Sequence, residues 1–247
     1  MNAGGIFARG RGLWSLRAAA VRITLSRRLS CRAARPVAIP EMPVNPFRPL
    51  AVLAVACVAS PACAADDFRI DTTHAQVFFS ASHDGYTNPV GRMRVQSGFF
   101  RFDADDWTKC QVDATLDIGS LDMGDKPWND KLLSAYFDST NHPTARYVST
   151  SVEKTGERTG VIHGKLTLLN KTQPVDLKVT FNKAAMNGYT LHYVAGFSAT
   201  AEFKRSTFGM TRSLKDVGDD ISVHIEIEGV RDGDAAKQAA PAETDKQ

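Results

Sequence analysis

Six segments of the chain alternate apolar and polar residues with a period of two. Val77, Phe79 and Ala81 alternate with Phe78, Ser80 and Ser82, and Val112, Ala114, Leu116 and Ile118 with Gln111, Asp113, Thr115 and Asp117. The same pattern holds at Ile162–Leu168, at Val175–Phe181 after an interruption at Lys171–Pro174, at Phe197–Phe203 and at Ile221–Ile227. Side chains of a strand point to opposite faces in turn, so each segment has one apolar and one wet face. Parallel strands, buried on both faces, would read as continuous apolar runs, so these strands are antiparallel. Gly91–Asp103 and Ala145–Glu153 bring the total to about eight, enough to close an all-β barrel whose interior holds side chains or one small ligand.

One segment, Trp128–Phe137, reads as a helix, with Asn129 or Asp130 as its N-cap and Leu132, Leu133 and Phe137 on its apolar side. Inserted between strands, it would act as a lid or plug. After Val230 no apolar period remains, and residues 232–247 are expected to be disordered.

The formal charge of +3 suggests an anionic partner only until its distribution is considered. Residues 1–64 hold nine arginines against one acid, Glu41, which leaves the rest of the chain at −5. Arg48, the apolar run Leu50–Ala59 and Ala62-Cys-Ala64 form a secretory signal peptide, with cleavage expected after Ala64 and a periplasmic destination. The run of ten residues is too short to span a bilayer, which takes roughly 20, so no transmembrane anchor is expected. Residues 1–41 read as an over-extended start, with translation beginning at Met42. The alternatives are a transit peptide or a twin-arginine signal at Arg27-Arg28. The chain thus divides into 1–41, a signal peptide at 42–64, a barrel domain at 65–231 and a tail at 232–247. The secreted domain is mildly acidic, which argues against nucleic acid and an anionic membrane as first-choice partners.

Of the four cysteines only Cys110 lies beyond the signal, so no internal disulfide holds the domain. Lipoprotein cleavage before Cys57 is the competing reading of this region. The six histidines (His74, His83, His142, His163, His192, His224) show no spacing that would put two imidazoles on one metal, and no metal or cofactor is expected. Nucleophile elbows, P-loops and dinucleotide fingerprints are absent from the sequence. Asp122, Asp125, Asp130 and Asp138 read as solvated acids around a helix rather than a catalytic pair. An enzyme is therefore not expected.

Two polar residues continue an inward parity. His83 follows Val77, Phe79 and Ala81, and is either a hydrogen-bonded core histidine or a polar anchor at a pocket mouth. Arg205 follows Phe203; if buried it needs a partner, a carboxylate such as Asp71 or a ligand.

These segments, taken in order, resemble the YceI family of secreted, lipocalin-like polyisoprenoid-binding proteins. The likeness runs through Phe68-Arg-Ile-Asp71, Phe79-Ser-Ala-Ser-His83-Asp-Gly85-Tyr86, Asp130–Asp138, His142-Pro143 and Ser149–Val152. It continues through Gly164-Lys-Leu166-Thr-Leu168, Pro174-Val175, Arg205-Ser-Thr-Phe208-Gly209 and Ile225–Val230. The chain departs from the family's usual residues at Asn170 (often glycine), Tyr147 (often phenylalanine) and Leu133 (often arginine).

The resemblance implies an extended antiparallel eight-stranded lipocalin-like barrel, with one short inserted helix, around a long-chain isoprenoid lipid. The ligand would lie against Val77, Phe79, Ala81, Phe102, Leu116, Ile118, Leu166, Leu168, Phe197 and Phe203, with His83, Tyr86 and Arg205 as polar contacts. Small residues (Ala81, Gly164, Gly196, Ala199, Ala201) would leave it room. An empty, side-chain-filled barrel serving as an extracytoplasmic stress or interaction scaffold is the rival reading, and a hydrolase using His83 the third. A homodimer, through an exposed strand or Cys110, is also an expectation.

Overall fold

The computed structural model describes residues 65–239. The N-terminal extension and signal peptide expected at 1–64, and the tail beyond 239, lie outside them. The described chain forms β1 (Asp66–Ile70), β2 (Gln76–His83), β3 (Val90–Phe102), β4 (Gln111–Asp122), α1 (Lys126–Ala135) and β5 (Thr144–Lys154). These are followed by β6 (Thr159–Leu168), β7 (Lys171–Met186), β8 (Tyr193–Lys204), β9 (Val217–Arg231) and α2 (Ala235–Ala239).

Every strand pair is antiparallel, and the sheet closes because β2 pairs with both β3 and β9 while β3 also pairs with β4. The result is an eight-stranded barrel, β2 to β9. The short β1, not anticipated from the alternation, is the second half of a broken first stave. It sits opposite Phe99–Phe102 of β3 and Gly229–Arg231 of β9, whereas β2 occupies the other end of the same two strands. The break at Asp71–Ala75 is a compact turn in which the Asp71 carboxylate accepts from the Thr73 amide and pairs with His74 Nδ1 at 2.8 Å.

Up-and-down topology gives the barrel two distinct ends. At one lie the turns β2–β3, β6–β7 and β8–β9 together with α1, and here we call it the helix end. The other carries the β3–β4, β5–β6 and β7–β8 connections and an aromatic cluster. There Phe102 lies tilted against Phe181 with centroids 4.9 Å apart, meets Phe197 edge-on at 5.0 Å, and meets Trp107 of a 3₁₀ turn at 6.0 Å.

Three local expectations need correction. The interruption at Lys171–Pro174 is strand; the reversal is the two-residue turn Leu169-Asn170, with φ of 50° and 56°. Pro174 fits because its missing amide would face β8, which pairs with β7 only from Lys178 onward. The helix begins at Lys126, capped by Asp125, whose carboxylate accepts from the Trp128 amide at 2.9 Å, with Pro127 in the first turn. Asn129 instead accepts from the Met123 amide at 2.7 Å, tethering the helix to the end of β4. Finally, α2 forms within the segment expected to be disordered, with Ala235 buried.

Candidate functional site

The inward faces enclose a cavity of about 280 Å³. Its walls are hydrocarbon and aromatic almost throughout. Val77, Phe79 and Ala81 of β2, Phe102 of β3, Leu116 and Ile118 of β4, Leu166 and Leu168 of β6, and Phe197 and Phe203 of β8 all line it. At the helix end Trp128, Leu132 and Tyr136 share one side of α1, at i, i+4 and i+8, and turn it toward the opening.

A bulge and a turn decide where His83 and Tyr86 lie. Between Ala81 and His83 the pairing of β2 slips from Ile221 to Val217 of β9, so the inward parity is lost one step before it reaches His83. His83 lines the cavity mouth from the rim, half-exposed, with Nδ1 3.8 Å from Asp84 and its ring 6.2 Å from Trp128. It is not a core histidine; of the two expected places it takes the one at the cavity mouth. Tyr86, one turn further, is 87% exposed and does not line the cavity, because the positive-φ pair Asp84-Gly85 swings the chain outward.

Arg205 does point inward, and is 3% exposed. Its partner is not Asp71, which is engaged with His74, but the backbone. Nε donates to the Gly218 carbonyl at 2.9 Å, Nη1 to Met210 at 2.6 Å and Nη2 to Val217 at 2.7 Å, while Tyr136 of α1 lies against the guanidinium at 5.7 Å. One buried cation thus staples the loop before β9 to the 3₁₀ turn Arg205–Phe208.

Sequence reasoning missed several lining residues. Met93 and Val95 on β3 escaped because a second slip, between Val95 and Ser97, switches the inward parity before Phe100 and Phe102. The Ile221–Ile227 face was legible as alternation and belongs to the lining. Tyr147 is the most consequential omission. Its ring fills the space above Gly164, where an added Cβ would collide with it, and its hydroxyl reaches the carbonyls of Ile162 at 3.1 Å and Val175 at 3.0 Å. The room that Gly164 was expected to leave for a ligand is therefore occupied by protein. Gly196 leaves none either, since it faces a groove on the outside of the barrel. Burial pushes the Tyr147 phenol well above its ordinary pKa, so it stays neutral. Burial likewise pushes up the Cys110 thiol, which is half-buried at the aromatic end. Among the described residues no three His, Cys, Asp or Glu side chains converge on a point that would hold a metal, and no helix is long and apolar enough to cross a membrane.

Comparison with known proteins matches this architecture. The model of the YceI-like domain family covers residues 68–229. A UPF0312 protein of Ectopseudomonas mendocina is 36% identical over 173 residues, spanning 68% of this chain and 88% of the relative. One from Azotobacter vinelandii is 35% identical over 179 residues, 70% and 91% of the two chains. Among solved structures, BcnA of Burkholderia cenocepacia superposes with a TM-score of 0.57 at 22% identity, covering 64% of this chain and 98% of its own. A polyisoprenoid-binding domain from Saccharophagus degradans superposes at 0.50 with 10% identity, over 67% and 98%. At such identities the superpositions speak to the fold.

Proposed function

The chain belongs to the YceI-like family, and from that premise we propose that it is a periplasmic protein that holds an amphipathic isoprenoid lipid, a polyisoprenoid or an isoprenoid quinone, for transport, storage or stress response. The observation that carries this reading is the cavity, closed by a continuous ladder and lined by branched and aromatic side chains. The polyisoprenoid-binding domain that shares its fold supports the choice of ligand.

Magnitudes bound what is held. Burying a five-carbon isoprene unit contributes about 3–4 kcal/mol at ~0.8 kcal/mol per carbon group, and eight units would formally exceed the ceiling of about 20 kcal/mol for non-covalent binding. The cavity of about 280 Å³ lies at the lower edge of ligand pockets, roughly 300–1,000 Å³. It takes a few units of a tail, with the headgroup left beside His83 and Trp128 at the helix end. This reading contains no catalytic step: the Arg205 guanidinium and Tyr147 hydroxyl are already engaged with backbone carbonyls.

Mass spectrometry of organic extracts of the purified protein should find a prenyl-chain lipid. Added long-chain quinone should quench the fluorescence of Trp107 and Trp128, which both line the cavity. No extracted lipid together with no quenching would leave only the scaffold. N-terminal sequencing of the exported chain, expected to begin at Ala65, tests the address.

A further inference from the structure

The strongest feature outside the cavity is the β7–β8 hairpin. Its tip, Asn187–His192, is ordered by one side chain: Asn187 Oδ1 accepts from the Tyr189 amide at 2.9 Å and the Thr190 amide at 3.2 Å. The backbone adds Leu191 N–H to the Asn187 carbonyl at 2.8 Å and Asn187 N–H to that of His192 at 2.7 Å. This built turn displays Tyr189 at 96%, Leu191 at 75% and Met186 at 60% exposure. Leu191 sits at φ 57°, a conformation that glycine or asparagine adopts far more readily. A turn that only had to reverse the chain would not place leucine there.

Charge sharpens the picture. Although residues 65–247 carry a net −5, no aspartate or glutamate occurs from Leu177 to Ala201, a stretch that carries Lys178, Lys183 and His192. Lys183 shares the groove behind the hairpin with Glu226 and Glu228 of β9, and it and Glu228 flank Gly196 at one height, below the tip. Size then decides between partners. Three such side chains offer on the order of 400 Å², against roughly 800 Å² per partner in a standard protein interface. Shallow insertion into a bilayer needs only a few apolar side chains. A tyrosine, with an apolar ring and a polar tip, suits the headgroup boundary.

We propose that the β7–β8 hairpin tip docks the protein on a phospholipid bilayer, inserting Met186, Tyr189 and Leu191. This goes beyond the cargo reading and stands independently of it. The barrel would then rest on the membrane by its aromatic end, with the helix end facing away.

Hydroxyl-radical footprinting of the full chain, with and without vesicles of phosphatidylcholine and phosphatidylglycerol in equal parts, tests the contact locally. Reactivity at Met186 and Tyr189 should fall severalfold on adding vesicles, while Tyr86, equally exposed at the opposite end, should not change. The variant Leu191→Ser, which keeps both reporters, should weaken the protection at Met186 and Tyr189 and still yield the same extracted lipid as the parent. Unchanged reactivity at both residues would overturn the proposal. So would protection by self-association without vesicles, or equal protection at Tyr86. A lipid-free protein that still gives the hairpin footprint would sink the cargo reading and leave the docking intact.

Discussion

Arg205 shows how one residue can hold an irregular region together. Its three donors meet the carbonyls of Met210, in the loop before β9, and of Val217 and Gly218, at the start of that strand. Arg205→Met keeps much of the bulk and removes all three bonds, so it should cost about 3–5 kcal/mol in urea unfolding. A loss under about 1 kcal/mol would mean that water replaces the guanidinium. The Asp71–His74 pair makes a prediction in pH. Burial disfavours the Asp71 carboxylate, but bonds from His74 and the Thr73 amide outweigh it and hold its pKa below 3.8; the Asp71 hydrogen bond and charge hold His74 above 6.5. A lowered acid stabilises above its unfolded pKa, and a raised base stabilises below its own. The pair's contribution is therefore full only between 3.8 and 6.5, and fades as pH falls below that window or rises above it. In an NMR titration His74 should deprotonate above 6.5, and Asp71→Asn should return it toward that value.

At the scale of elements, the β6–β7 turn is a compromise. Both Leu169 and Asn170 take positive φ, as a two-residue hairpin demands. Leu169 stays because its side chain packs on the core, whereas Asn170 has no such duty. Asn170→Gly should therefore raise stability by about 0.5 kcal/mol in thermal or urea unfolding, with an unchanged circular dichroism spectrum. The elements were largely legible in the sequence wherever alternation was unbroken. It marked the inward faces of β4, β6, β8 and β9 because the barrel wets one side of each strand. It failed where a bulge intervened. The slips at Ala81/His83 and Val95/Ser97 are backbone events with no residue signature of their own, and they turned His83 to the rim and hid Met93 and Val95. The Asp125 cap was legible in principle, since Asp followed by proline two residues later is a helix-start signal. It was lost because the apolar period begins only at Trp128. Tyr147 over Gly164 was beyond sequence reasoning, since the two residues meet across strands rather than along the chain.

For the whole molecule, the ladder passes from β2 through β9 and back, so every described strand has a partner on both sides, and free edge is confined to stretches such as Lys171–Leu177 of β7, beyond the reach of β8. Strand number and stagger set the diameter of such a wall. Widening it means parting a row of backbone hydrogen bonds along a full strand, at about 1 kcal/mol each. The ends are softer: α1 has no fully buried residue and leans on the opening with Trp128, Leu132 and Tyr136. In competition binding, single-chain prenyl lipids of different lengths should displace one another with less than about tenfold spread, because only the first few units are enclosed. A sterol, or a phospholipid with two acyl tails side by side, should fail to compete. On the proposed function the barrel is a wire gauge, one that would admit guests by their thickness and leave their length unmeasured.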